Sequence, residues 1–261
     1  GDSYVAWCWK AGGAASSNTD GTVTSSVSAN ASYGFSIVKY TYSSTGTVGH
    51  GLNTQPDLIV QRPINSSGDW YVYTKALNYH SVVYLNSSSA ASSTSTMNSV
   101  DPTSTVFTTN NWNPGDNLAY CWSEVAGFSK ISSYTGNGSN ITIDCGFKPA
   151  FVMVKKSSGV ADWIVFGDDL GTNTYLKPST SDAQATNGAF EILSNGFKLT
   201  NSGGDWNGSG STYVYMAFAA TVPGGGPDAD SLVDTPTNGD TASDTGLGNQ
   251  ITGNYATLNP L

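Results

Sequence analysis

The chain has 261 residues, of which 11% are charged and 11% aromatic, and a formal net charge of −9. That length suits two units plus flanks, and the aromatic content argues for packed cores in a chain otherwise dominated by Ser, Thr, Asn and Gly. Ten basic residues against nineteen acidic ones offer no groove for a phosphate backbone, and no apolar run is long enough to cross a bilayer as a helix, so nucleic-acid binding and helical membrane insertion are excluded.

Helical periodicity is almost absent; apolar runs are short, β-branched or aromatic, and bounded by Gly, Pro, Asn and Ser clusters, which is the strand signature. In chain order, Val5, Trp7 and Trp9 alternate onto one face, predicting a strand within 1–13. Residues 14–33, rich in Ser, Thr, Ala and Asn, read as a surface connector. Strands are then expected near 35–42, 57–62, 69–74, 81–85, 104–108 and 117–123, within a first unit over 34–126. A second unit over 127–221 has expected strands near 128–134, 150–156, 162–166, 189–193, 196–200 and 212–219, with Ser194-Asn195-Gly196 as a hairpin turn. Residues 222–261 open on Pro223-Gly224-Gly225-Gly226-Pro227 and carry five aspartates without Lys or Arg, an acidic linker by composition.

The two units resemble each other at an offset of 93 residues: Gly34-Phe35-Ser36 returns as Gly127-Phe128-Ser129, Pro56 as Pro149, and Asp69-Trp70 as Asp162-Trp163. Such a period is a whole small domain rather than a solenoid turn. Val5-Ala6-Trp7-Cys8-Trp9 also matches Leu118-Ala119-Tyr120-Cys121-Trp122, which closes the first unit, so the N-terminal strand is expected to close a preceding unit whose body is missing. Several short strands at this spacing imply an all-β chain of two tandem β-sandwich repeat domains, jelly-roll or lectin-like, with one merged sandwich as the less favoured architecture. The alternation in the closing strands puts their aromatics in the core. Cys8 and Cys121 fill the same slot as small buried residues, and with Cys145 they form an odd set without CxxC spacing.

Catalytic chemistry is sparse. His50 and His80 have no counterparts in the second unit, and no Gly-x-Ser-x-Gly elbow accompanies them. Glu124 and Glu191 fall at non-equivalent positions, unlike a duplicated acid/base pair. Asp168-Asp169 has the chemistry for a calcium contact, although a solvated loop is the favoured reading. No catalytic residue, cofactor or resident metal is expected. Asp69 and Asp162 are expected to fix a turn or strand end. One repeated feature resists a plain core reading: Trp112-Asn113 and Trp206-Asn207 each sit in a Gly/Asn-rich loop before the closing strand. A loop tryptophan can stack on a sugar while neighbouring amides bind hydroxyls; the alternative is that each folds back over the sandwich end or meets a neighbouring subunit.

Trp7-Cys8-Trp9-Lys10-Ala11-Gly12-Gly13, Gly34-Phe35-Ser36-Ile37-Val38, Thr47-Val48-Gly49-His50-Gly51-Leu52, Tyr134-Thr135-Gly136-Asn137-Gly138 and Tyr213-Val214-Tyr215-Met216-Ala217-Phe218-Ala219 resemble a tandem β-rich repeat domain of marine bacteriophage (cyanophage-like) tail-fibre and virion structural proteins. Asp230-Ser231-Leu232-Val233-Asp234-Thr235-Pro236-Thr237-Asn238 and Gly253-Asn254-Tyr255-Ala256-Thr257-Leu258-Asn259-Pro260-Leu261 resemble the junction that precedes a SPRY-like domain in such proteins. The resemblance implies a non-enzymatic virion component, a tail fibre or appendage whose repeats space or present host-binding modules. Expected partners are copies of the chain itself (a trimer among the options), other virion proteins and a host surface glycan, in a virion or extracellular setting. The other readings are a carbohydrate-binding module using Trp112 and Trp206, and an exported cell-surface or filament-forming protein.

Overall fold

The computed structural model describes residues 5–93, 100–110, 114–220 and 255–257. Among them the chain is all-β, in several antiparallel sheets of the β-sandwich class, with no α-helix. The first strands are β1 (Cys8–Lys10), β2 (Ser16–Asn18), β3 (Ser25–Asn30), β4 (Phe35–Tyr42) and β5 (Gly46–Gly49). There follow β6 (Leu58–Pro63), β7 (Tyr71–Thr74), β8 (Ser81–Tyr84), β9 (Ser92–Ser93), β10 (Val106–Thr109) and β11 (Gly115–Trp122). The later part holds β12 (Ser129–Thr135), β13 (Ile141–Asp144), β14 (Phe151–Lys156), β15 (Ile164–Gly167), β16 (Phe190–Leu193), β17 (Gly196–Leu199) and β18 (Thr212–Phe218). A last strand, β19 (Tyr255–Thr257), pairs antiparallel with β1; the rest of the expected linker lies outside the described residues.

Two large sheets carry the fold. One runs β2-β3-β4-β11-β6-β7-β8-β9, the other β12-β18-β14-β15. In each, the closing strand is internal: β11 lies between β4 and β6, and β18 between β12 and β14. Each large sheet is covered on one face by a small one, β5-β10 in the first half and β13-β17-β16 in the second. The local hydrogen bonding also corresponds. Trp70 N–H donates to Asn86 Oδ1 (3.0 Å), and Trp163 N–H to Ser179 Oγ (3.2 Å), both partners 16 residues on. The 3-10 turns Lys75–Leu77 and Asp168–Leu170 follow β7 and β15 at the same offset of 93. The Asp-Trp positions are therefore strand-entry fixtures, and Asp162 additionally pairs with Lys177 at 3.0 Å.

The connector expected over 14–33 is corrected: β2 and β3 lie there and widen the first sheet beyond 34–126. Its serines permit this because their hydroxyls find backbone acceptors, Ser25 Oγ on Gly49 O (2.9 Å) and Ser28 Oγ on Gly13 O (2.7 Å). Polar groups satisfied in this way can be buried at little cost.

The core is partitioned differently from two sealed domains. One apolar cluster (Val38, Tyr40, Ile59, Tyr73, Phe107 and Cys121 among its members) fills the space between the first large sheet and β5-β10. The other runs from Trp7 and Trp9 through Phe35, Leu58 and Trp122 into Phe151, Phe197 and Phe218, and so belongs to both halves. Trp9 sits at the meeting point, edge-on to Trp122 at 5.8 Å, Phe151 at 5.6 Å and Phe218 at 5.4 Å. Alternation along β11 sends Tyr120 and Trp122 to the shared core and Ala119 and Cys121 to the private one. The halves are also joined by Ala91 N–H to Ser157 O (2.9 Å), Ala161 N–H to Ser88 O (2.9 Å) and Trp163 Nε1–H to Tyr84 O (2.7 Å).

Candidate functional site

The loop tryptophan of the second half folds inward. Trp206 is only 7% exposed, its ring lying 5.0 Å from that of Phe190 and 5.6 Å from that of Tyr175. Its indole N–H donates to Asn201 Oδ1 at 2.9 Å, leaving neither face nor polar tip for an outside ligand. The expected sugar-stacking role is therefore corrected at Trp206, because two aromatic residues distant in sequence offered a drier seat than solvent. Trp112 and Asn113 lie outside the described residues. Asn207, fully buried, pins the loop: Nδ2 donates to Asn201 O (2.8 Å) and Ser139 O, and Oδ1 accepts from Asn137 N–H (3.0 Å). It is a structural amide rather than a ligand contact. Asn207→Ala is expected to cost about 2–3 kcal/mol, since several buried partners lose their bonds at once; thermal unfolding against wild type measures it.

His50, in the turn after β5, is also fully buried. Its Nδ1 accepts from Leu52 N–H (3.2 Å), so the proton sits on Nε2, which faces Thr103 O at 3.2 Å. Burial pushes its pKa below the ordinary 6.5, against the opposing pull of the Thr103 carbonyl and of Asp20. The unfolded chain thus takes up a proton before the native one as pH falls below 6.5, and stability is lost through that range. His50→Asn keeps an acceptor for Leu52 N–H and removes the titration, so its unfolding free energy is expected to show a flatter slope between neutral and mildly acid pH in urea titrations. No nucleophile or carboxylate is within reach of His50 in the described hydrogen bonds, so the ring serves as a turn clamp.

Lys155 on β14 is the most unusual charge. The side chain has no exposed surface, and Nζ donates to Ala161 O (2.8 Å), Lys156 O (3.0 Å) and Ser88 O (3.1 Å). Three carbonyls match the three protons of an ammonium. One comes from the first half and two from the second, so the amine is a clamp between halves. Lys155 stands 93 residues after Arg62, the offset of the repeat, but the Arg62 guanidinium lies 4.8 Å over the Trp70 ring. No residue signal told the two environments apart.

One cleft opens on the second half, with a volume of about 210 Å3, between the end of β15, the loop after it and β16. Phe166 and Phe190, stacked at 4.2 Å, form its apolar side, and Asp168, Glu191, Thr172 and Thr174 supply polar atoms. Asp168 is ion-paired with Lys148 and Glu191 with Lys198 (3.2 Å). Among the described residues no group of His, Cys, Asp and Glu side chains is arranged to hold a metal ion. Burial raises the thiols of Cys121 and Cys145, the latter to about 12, so neither is a thiolate near neutrality.

A family model described as "Domain of unknown function (DUF7483)" matches residues 1–222. No curated protein matches the chain. No solved structure matches it either.

Proposed function

We propose, for a chain that belongs to the DUF7483 domain family, a non-enzymatic structural and adhesion role in a phage virion, as a segment of a tail fibre or appendage. The observation that carries this reading is the shared core. Trp9 wedges between the two large sheets, so the halves are held as one stiff body rather than as beads on a linker. A stiff body with two similar halves suits spacing and presentation, and a Ser/Thr/Asn/Gly-rich chain with 11% charged residues suits an exposed setting. The motifs that resemble those of marine phage virion proteins suggest the particle context, and association with copies of itself and with other virion proteins is proposed from that resemblance.

The test is mass spectrometry of gradient-purified particles, followed by cryo-EM of the same preparation. The expected result is the chain at appendage stoichiometry with its density outside the capsid. Its absence from particles and presence in the host envelope fraction would instead establish the exported cell-surface reading.

A further inference from the structure

Beyond that structural reading, we infer that the cleft between β15 and β16 is a binding site for one neutral hexose ring of a glycan. The argument starts from a difference between the halves. Tyr79 in the first half stands 93 residues before Thr172 in the second, and both follow the 3-10 turns that come after β7 and β15. The turns close alike, Asn78 N–H on Lys75 O (2.9 Å) and Gly171 N–H on Asp168 O (3.4 Å). In the first half Tyr79 takes a left-handed conformation (φ 54°) and is buried, its hydroxyl donating to Pro56 O at 2.6 Å. In the first half Asn78 (φ 55°) is left-handed as well, whereas in the second half the positive φ values fall at Gly171 (81°) and Asn173 (60°), and Thr172 between them is small and exposed. The buried ring of Tyr79 has no counterpart at Thr172, and a cleft of about 210 Å3 lined by Thr172 stands in the second half.

The lining selects the ligand. Each carboxylate carries its own lysine, Asp168 with Lys148 and Glu191 with Lys198, so the rim holds acceptors without excess charge. That arrangement gives a divalent cation little to gain and an anion nothing. It suits hydroxyl groups, which donate to carboxylates in strong charge-assisted bonds and exchange with Thr172 and Thr174. Phe166 and Phe190, stacked on each other at 4.2 Å and almost fully buried, close the floor of the cleft, so a sugar is held through its hydroxyls rather than by ring stacking. The volume lies below the range of about 300–1,000 Å3 usual for drug-sized ligands, so one ring fits, and the rest of a chain runs out past exposed Asp168 and Glu191.

The experiment is a titration of the isotope-labelled full chain with methyl α-glycosides of glucose, galactose and mannose, read by amide chemical shifts. At least one glycoside is expected to move residues 166–174 and 190–192 selectively, with an affinity in the millimolar range. Thr172→Tyr, which brings back a ring, and Glu191→Gln, an exposed and isosteric change, should each weaken the response at least about tenfold while the spectrum stays folded. No response to any of the glycosides, an equal response in both variants, or a response at these residues to calcium chloride alone would each overturn the inference. None of these outcomes bears on whether the chain belongs to a particle.

Discussion

Trp9→Ala is expected to lower the unfolding free energy by about 3–5 kcal/mol, the cost of deleting a large buried aromatic. Trp9 is 2% exposed, and its edge contacts at 5.4–5.8 Å reach Trp122 from one half and Phe151 and Phe218 from the other. The loss should therefore be felt as a loss of coupling as well as of stability: a single denaturant transition in wild type should separate into two. Trp9→Phe should be far milder. The indole N–H of Trp9 has no hydrogen-bond partner among the described residues, and removing it recovers part of a penalty of about 1–3 kcal/mol. Urea titrations followed by far- and near-ultraviolet dichroism decide the matter. Coincident transitions in Trp9→Ala with an unchanged midpoint would mean that the wedge carries no coupling.

Lys155→Met is expected to cost about 3 kcal/mol, because it leaves the carbonyls of Ser88, Lys156 and Ala161 facing a methyl group. Shape is kept, so the effect isolates the hydrogen bonds rather than a cavity. The same amine makes stability depend on alkaline pH. Burial pulls Lys155 down from 10.5 to about 8, against the raising influence of Asp162 and Asp205. Between those values the unfolded chain binds more protons than the native one, so unfolding free energy rises with pH across that window and is flat just below it. The rise should vanish in Lys155→Met. Denaturant midpoints measured in steps from pH 7.5 to about 10 test both statements with one pair of proteins; a rise that persists in the variant would remove Lys155 as its source.

The strand runs were legible because β-branched and aromatic residues cluster between turn formers. Leu58-Ile59-Val60 and Phe151-Val152-Met153-Val154 announce β6 and β14 with no tertiary information. Ser25–Asn30 does not, since a serine strand looks like a linker until the carbonyls that accept its hydroxyls, Gly13 and Gly49, are in place. β5 is similarly masked by its glycines, one of which, Gly49, would drive a Cβ into the Asn18 side chain at 1.7 Å. The Gly-Phe-Ser repeat misleads by one residue. Phe35 pairs with Trp122, whereas Ser129, not Phe128, pairs with Phe218. The amides of both Phe128 and Ser129 bond to Val125 O, which takes up the extra residue.

The candidate sites were harder to see than the strands. Trp206 was visible as a repeated loop aromatic, but Tyr175 and Phe190 determine its burial, and neither is near it in sequence. The cleft left a trace in the chain, a threonine where the first half has tyrosine, that gains meaning only once the matching turns are known. Fold class and the positions of the apolar strands follow from periodicity, which each such segment carries within itself. The sharing of one core by two halves, the three-carbonyl seat of Lys155 and the opening beside Thr172 are decided by contacts between residues far apart in the chain. The free energy of burying a side chain depends on which distant atoms replace its water, and local pattern holds no record of them.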